Sequence, residues 1–109
     1  MRVLFDHCVP KPLRKYLAEH EIRTAYQMGW AALKNGKLLE AAEAEFEILL
    51  TVDQSISHQQ NMSIRGIALV VMIAPDNTVA SLLPLVPQLL SLLPATEPGR
   101  VYTVEAREN

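Results

Sequence analysis

Three stretches of this chain are apolar without a break: Val3-Leu4-Phe5, Ile48-Leu49-Leu50 and Ile67 to Ala74. A strand with one wet face alternates apolar and polar residues, whereas an unbroken short run belongs to a strand covered on both faces. Helix-period segments lie between these runs. Val9, Leu13, Tyr16 and Leu17 predict an amphipathic helix ending near His20, with Pro10 and Pro12 suited to its first turn. Leu38, Leu39, Ala41, Ala42 and Phe46 mark a second helix, running from Asn35 to about Glu45. The run at 48–50 belongs to a strand over Glu47 to Val52, and Ile22 to Tyr26 and Val101 to Val104 read as two further strands. Alternation of this kind predicts an α/β fold with helices on both faces of a mainly parallel sheet. The expectation is a three-layer α/β/α domain of about five strands in the order 2-1-3-4-5.

The chain has 109 residues, one small domain expected over 1–105 with a polar, frayed tail at 106–109. Half of it is hydrophobic, enough for a core, and the formal net charge of −2 offers nucleic acid no global basic field. Any RNA contact therefore rests on local groups. With a lone cysteine, Cys8, no internal disulfide can form, and a cytoplasmic setting is expected. The first residues enter a strand directly, without the pattern of a secretory leader. Ile67 to Ala74 falls far short of the ~20 residues of a membrane span. From Val79 to Leu93 the chain is nearly all Leu, Val, Ala and Pro, interrupted by Pro84 and Pro87. A segment greasy on several sides needs cover, and a homodimer through residues 79–93 is the expected solution.

Two of the apolar strands stop on an aspartate: Arg-Val-Leu-Phe-Asp at 2–6 and Ile-Leu-Leu-Thr-Val-Asp at 48–53. In an open parallel sheet, ligands bind beyond the carboxyl ends of strands where the strand order reverses. Neighbouring strands lie about 5 Å apart, so Asp6 and Asp53 are expected close together, where two carboxylates repel unless a cation or proton separates them. A hard cation such as Mg²⁺ takes one or two carboxylates, waters and substrate phosphates. It can activate water and neutralise charge growing on phosphorus. A turn or cap role is the competing reading of each aspartate.

Asn35 opens the second helix at the same end of the sheet. Its amide can serve a metal through water, or simply cap the helix. Lys34 and Lys37 flank it and can meet a phosphate, or remain solvated. Thr51 shares a sheet face with Asp53 and can orient that carboxylate. Gln59, Gln60 and Asn61 form an amide cluster suited to a base or phosphate, or to a polar loop. Trp30 can stack on a base or pack on the core. His7, Cys8, His20 and His58 lack zinc-ligand spacing, and Cys8 has no base placed beside it by spacing. No phosphate-binding, dinucleotide or nucleophile-elbow motif is present.

Together these motifs resemble small PIN-like proteins related to VapC-type toxin nucleases. The resemblance lies in Val3-Leu4-Phe5-Asp6-His7-Cys8-Val9-Pro10 and in the segment Met28 to Leu39 with Ala42 and Phe46. Leu50 to Asp53 followed by Gln59-Gln60-Asn61, and Leu-Pro-Leu-Val-Pro at 83–87, complete it. It implies a Mg²⁺- or Mn²⁺-dependent endoribonuclease with Asp6 and Asp53 as metal ligands. Asn35 would assist catalysis, and RNA would meet Lys34, Lys37, Gln59, Gln60 and Asn61. It also implies an antitoxin partner and homodimers. The chain departs from the family pattern at His7, where relatives often carry Glu. It departs again at Asn35 and at Ser55, where many carry Asp. Glu40 and Asp76 are the reserve acids. The alternative reading is a catalytically silent PIN-like module that works by protein association.

Overall fold

The computed structural model describes residues 1–106; the expected frayed tail lies largely outside the described residues. Five strands form one all-parallel sheet in the order β2-β1-β3-β4-β5. They are β1 (Arg2–Phe5), β2 (Glu21–Thr24), β3 (Ile48–Thr51), β4 (Ala68–Ile73) and β5 (Val101–Glu105). The expected strand order is thus observed. β3 and all of β4 except Ile73 are buried throughout, as their unbroken apolar sequences require.

One face of the sheet carries α1 (Asn35–Glu43) and α2 (Ser55–Gln59), whose Leu38, Leu39, Ala42 and Ile56 pack on Leu4, Leu49 and Leu69. The other face carries a 3₁₀ helix (Lys11–Leu17), α3 (Val79–Leu82) and α4 (Val86–Leu92). Their Leu13, Leu17, Leu82, Leu85 and Leu89 cover Val3, Phe5, Leu50 and Val70. Each face of the sheet therefore has its own helical layer, giving the three-layer architecture.

Several local expectations change. The first helix is 3₁₀ and ends at Leu17. Tyr16 is 40% exposed, its ring under the Lys15 ammonium, so the buried part of that stripe is Val9, Leu13 and Leu17. Pro84 and Pro87 split the 79–93 segment as expected, with a 3₁₀ turn at Leu83–Leu85 between α3 and α4. Its greasiness is resolved inside the chain. Leu82, Leu85, Leu89 and Leu93 are buried, and Leu83, Val86, Leu90 and Leu92 are half-buried against the same cluster. The physical premise for a covering subunit is thereby reduced. Trp30 packs edge-to-face on Phe46, ring centres 6.1 Å apart, as part of the α1 side of the core. Among the described residues, no helix is long and apolar enough to cross a membrane.

Candidate active site

The order 2-1-3-4-5 reverses direction between β1 and β3, the point beyond whose carboxyl ends an open parallel sheet places its ligand crevice. Asp6 follows the last residue of β1 and extends the ladder, its N–H donating to Leu50 O at 3.0 Å. The chain then turns sharply, Val9 N–H reaching back to Asp6 O at 2.9 Å. This turn buries Asp6 (1% exposed) and leaves its neighbour His7 in the open.

The Asp6 carboxylate is held from two sides. Oδ1 accepts the His7 backbone N–H at 2.8 Å and faces His7 Nδ1 at 2.9 Å. Oδ2 accepts the Thr51 hydroxyl at 2.8 Å and the weaker Cys8 thiol at 3.5 Å. Thr51 Oγ1 in turn accepts the Asp53 backbone N–H at 3.0 Å. One buried hydroxyl therefore ties the end of β1 to the end of β3. Alternation suggested that Thr51 orients the Asp53 carboxylate; its proton goes instead across the strands to Asp6.

Asp53 is half-exposed. Its Oδ1 accepts Ser55 N–H at 2.9 Å and the Ser55 hydroxyl at 2.6 Å, closing the turn into α2. The Ser55 hydroxyl and N–H hold this carboxyl below the ordinary aspartate range, with the neighbouring His7 imidazole and Asn35 amide adding to the effect. Burial pushes the Cys8 thiol up, and the Asp6 charge adds to that, against hydrogen bonds from Thr51 and Val52. Cys8 is thus kept as a protonated thiol, a poor nucleophile.

Asn35 is the first residue of α1 and not its cap. Lys34 holds the cap position without a side-chain bond, and the Asn35 amide donates to Gln59 Oε1 at 3.3 Å. A cleft of about 390 Å³ is lined by His7, Lys34, Asn35, Gly36, Gln59 and Gln60. Lys37 and Asn61 do not line this cleft. Lys37 is exposed, and Asn61 caps the 3₁₀ turn Met62–Ile64 by accepting from Ser63. Glu40 is exposed on α1, and Asp76 closes the turn before α3 by accepting from Thr78.

A second cleft of about 390 Å³ meets the first at His7 and is lined also by Asp6, Lys11, Thr24, Tyr26 and Gln27. Tyr26 is 81% exposed. Tyr26 escaped the sequence reading of the site, and His7 entered it only as a weak zinc candidate and a departure from the family pattern. The one available signal was the Asp-His pair at a strand's carboxyl end.

A Mg²⁺ or Mn²⁺ ion shared by Asp6 and Asp53 does not fit this donor set. An ionised carboxylate has about four lone-pair positions, and Asp6 spends its own on His7, Thr51 and Cys8. A cation there would have to displace the His7 ring. Asp53 retains its Oδ2 edge, and among the described residues no group of three His, Cys, Asp or Glu side chains is placed to hold a metal.

No family model, curated protein or solved structure matches the chain.

Proposed function

We propose that this protein is an RNA-cleaving phosphodiesterase of the PIN-like kind. The observation that carries the reading is that one hydroxyl, Thr51, joins the Asp6 carboxylate to the Asp53 backbone N–H at the point where the strand order reverses. The motifs around Asp6, Asn35 and Asp53 resemble the PIN-like pattern, and Asp6 and Asn35 line two clefts that share His7. Lys34 supplies a cation for a phosphate, and the Asn35, Gln59 and Gln60 amides supply neutral donors and acceptors beside it. The Asp53 carboxylate, ionised and only partly spent on Ser55, is suited to accept a ribose hydroxyl, a group that RNA has and DNA lacks. An antitoxin partner and a homodimer follow from the family likeness and belong to this reading.

The test is endonucleolytic cleavage of single-stranded RNA by the purified protein. Asp53→Asn keeps an Oδ1 for Ser55 and removes the charge. It is expected to lower the cleavage rate at least about 100-fold with an unchanged circular dichroism spectrum. Undiminished cleavage by this variant would remove Asp53 from the site. The second reading, a catalytically silent interaction module, is favoured by the full engagement of Asp6. It predicts no cleavage of any RNA at any metal concentration.

A further inference from the structure

We propose that the cleft beside Tyr26 is a nucleobase subsite, in which one base of a single-stranded RNA stacks on the Tyr26 ring. The inference rests on the phosphodiesterase reading and places a part of the substrate which that reading leaves open.

The turn after β2 holds one aromatic ring out in water on a fixed support. Ala25 is buried, and its N–H extends the ladder to Phe5 O at 2.9 Å. Gln27 N–H donates to Thr24 Oγ1 at 3.0 Å, and Thr24 N–H donates to Gln27 Oε1 at 2.9 Å, so the two side chains lock the turn from both ends. Gly29 N–H donates to Tyr26 O at 3.1 Å, with Gly29 at a φ of 77°, and Trp30 N–H returns to Ala25 O at 2.8 Å. The backbone on either side of Tyr26 is thereby fixed. Its side chain is nevertheless 81% exposed, more than any other large hydrophobic side chain among the described residues. An aromatic ring already held in place loses little freedom when a ligand covers it.

The cleft that Tyr26 lines has the make-up of a ligand site. Such sites span about 300–1,000 Å³ and are mostly apolar, with a few placed polar groups. This one encloses about 390 Å³, with Val9, Pro10 and Ala31 as apolar lining beside Tyr26, and with Gln27 and Lys11 among its polar groups. The Thr24 N–H requires an oxygen, which fixes the Gln27 amide and leaves its NH₂ end to donate to a ring nitrogen or carbonyl of a base. Lys11 is a cation for the flanking phosphate. It opens the 3₁₀ helix that also carries Arg14 and Lys15, so a dense basic stretch of a chain with net charge −2 starts at this cleft. Basic groups that track the backbone and an aromatic face that takes a base are the means by which single strands are held. The cleft shares His7 with the one that carries Lys34 and Asn35, so a strand with a base on Tyr26 runs on into the proposed site.

The experiment measures binding of a short single-stranded RNA by fluorescence anisotropy, with one nucleotide at a time made abasic. The full chain carries Asp53→Asn throughout, so that the RNA stays whole. Tyr26→Ala, and the abasic change at one position, are each expected to weaken binding about 5- to 150-fold. Combined, they are expected to weaken it no further than either alone, because both remove the same stack. Tyr26→Phe keeps the ring and is expected to bind within about twofold of the parent. Tyr26 is exposed, so Tyr26→Ala is expected to fold, with an unchanged circular dichroism spectrum. Full affinity in Tyr26→Ala, losses that simply add at every position, or a Tyr26→Phe variant as weak as Tyr26→Ala would overturn the subsite. Each of these leaves the ribonuclease reading standing, since cleavage by the wild type tests that separately. Neither binding nor cleavage of any RNA would bring down both.

Discussion

Asp6 and Asp53 occupy equivalent places, just past the carboxyl ends of two adjacent parallel strands, yet their surroundings have given them different chemistry. Asp6 lies under a tight turn, is 1% exposed and is engaged by His7, Thr51 and Cys8. Asp53 lies at the mouth of a helix and closes one turn through Oδ1, beside the Asn35 amide. The strands bring the two acids to one edge. The loops decide which of them serves the protein and which can face a substrate. A carboxylate fully occupied by internal donors acts by holding other groups, and the groups it holds here are the Thr51 hydroxyl and the His7 backbone N–H.

The largest test of this contrast is deletion of each carboxylate. Asp6→Ala strands the buried Thr51 hydroxyl and frees the His7 ring. An unsatisfied buried polar group costs about 1–3 kcal/mol. With the cavity added, Asp6→Ala is expected to lose about 3 kcal/mol in urea unfolding, against less than about 1 kcal/mol for Asp53→Ala at its half-exposed site. Equal losses would end the distinction between a buried brace and an open acid. A smaller effect is expected for Thr51→Val, which keeps the shape of a buried side chain and removes the bridge. It should cost about 1–2 kcal/mol and should widen the motion of both loops, seen as faster amide exchange at Asp53, whose N–H loses its acceptor. Unchanged exchange at Asp53 would show that the two strand ends are fixed independently.

The sheet was legible because its evidence is local. Val3-Leu4-Phe5 and Ile67 to Ile73 carry no polar residue, and that alone requires cover on both faces. The meeting of Asp6 and Asp53 at one edge followed from strand order. What the two acids do there depended on contacts across long separations, which no spacing rule contains. Thr51 reaches Asp6 across 45 residues, and Asn35 reaches Gln59 across 24. The latter contact draws the Asn35 side chain away from capping its own helix. Asp76, a reserve acid in the sequence, instead forms the turn before α3, and Thr78 caps that helix by accepting from Ser81 N–H. His7 was weighed in the sequence only as a zinc ligand without partners at the right spacing and as a departure from the family pattern. Its 2.9 Å contact with a buried carboxylate exists only in the fold.

The smallest effect isolates the charge on Asp53. Its folded carboxyl is held below the ordinary range, first by the Ser55 hydroxyl and N–H, so the folded state binds this proton less tightly than the unfolded chain does. Stability from this source is complete above the unfolded aspartate value of about 3.9. It declines as pH falls through the depressed folded value and is gone below it. Asp53→Asn keeps the Oδ1 acceptor and cannot ionise, so subtracting its stability from that of the wild type cancels the other titrating groups. The difference should favour the wild type at neutral pH and shrink toward zero in strong acid, remaining modest because solvent screens the half-exposed group. A difference that instead grew on acidification would mean that the ionised Asp53 is tolerated at a cost. The open acid of the pair would then be the strained one, held for a substrate and not for the fold.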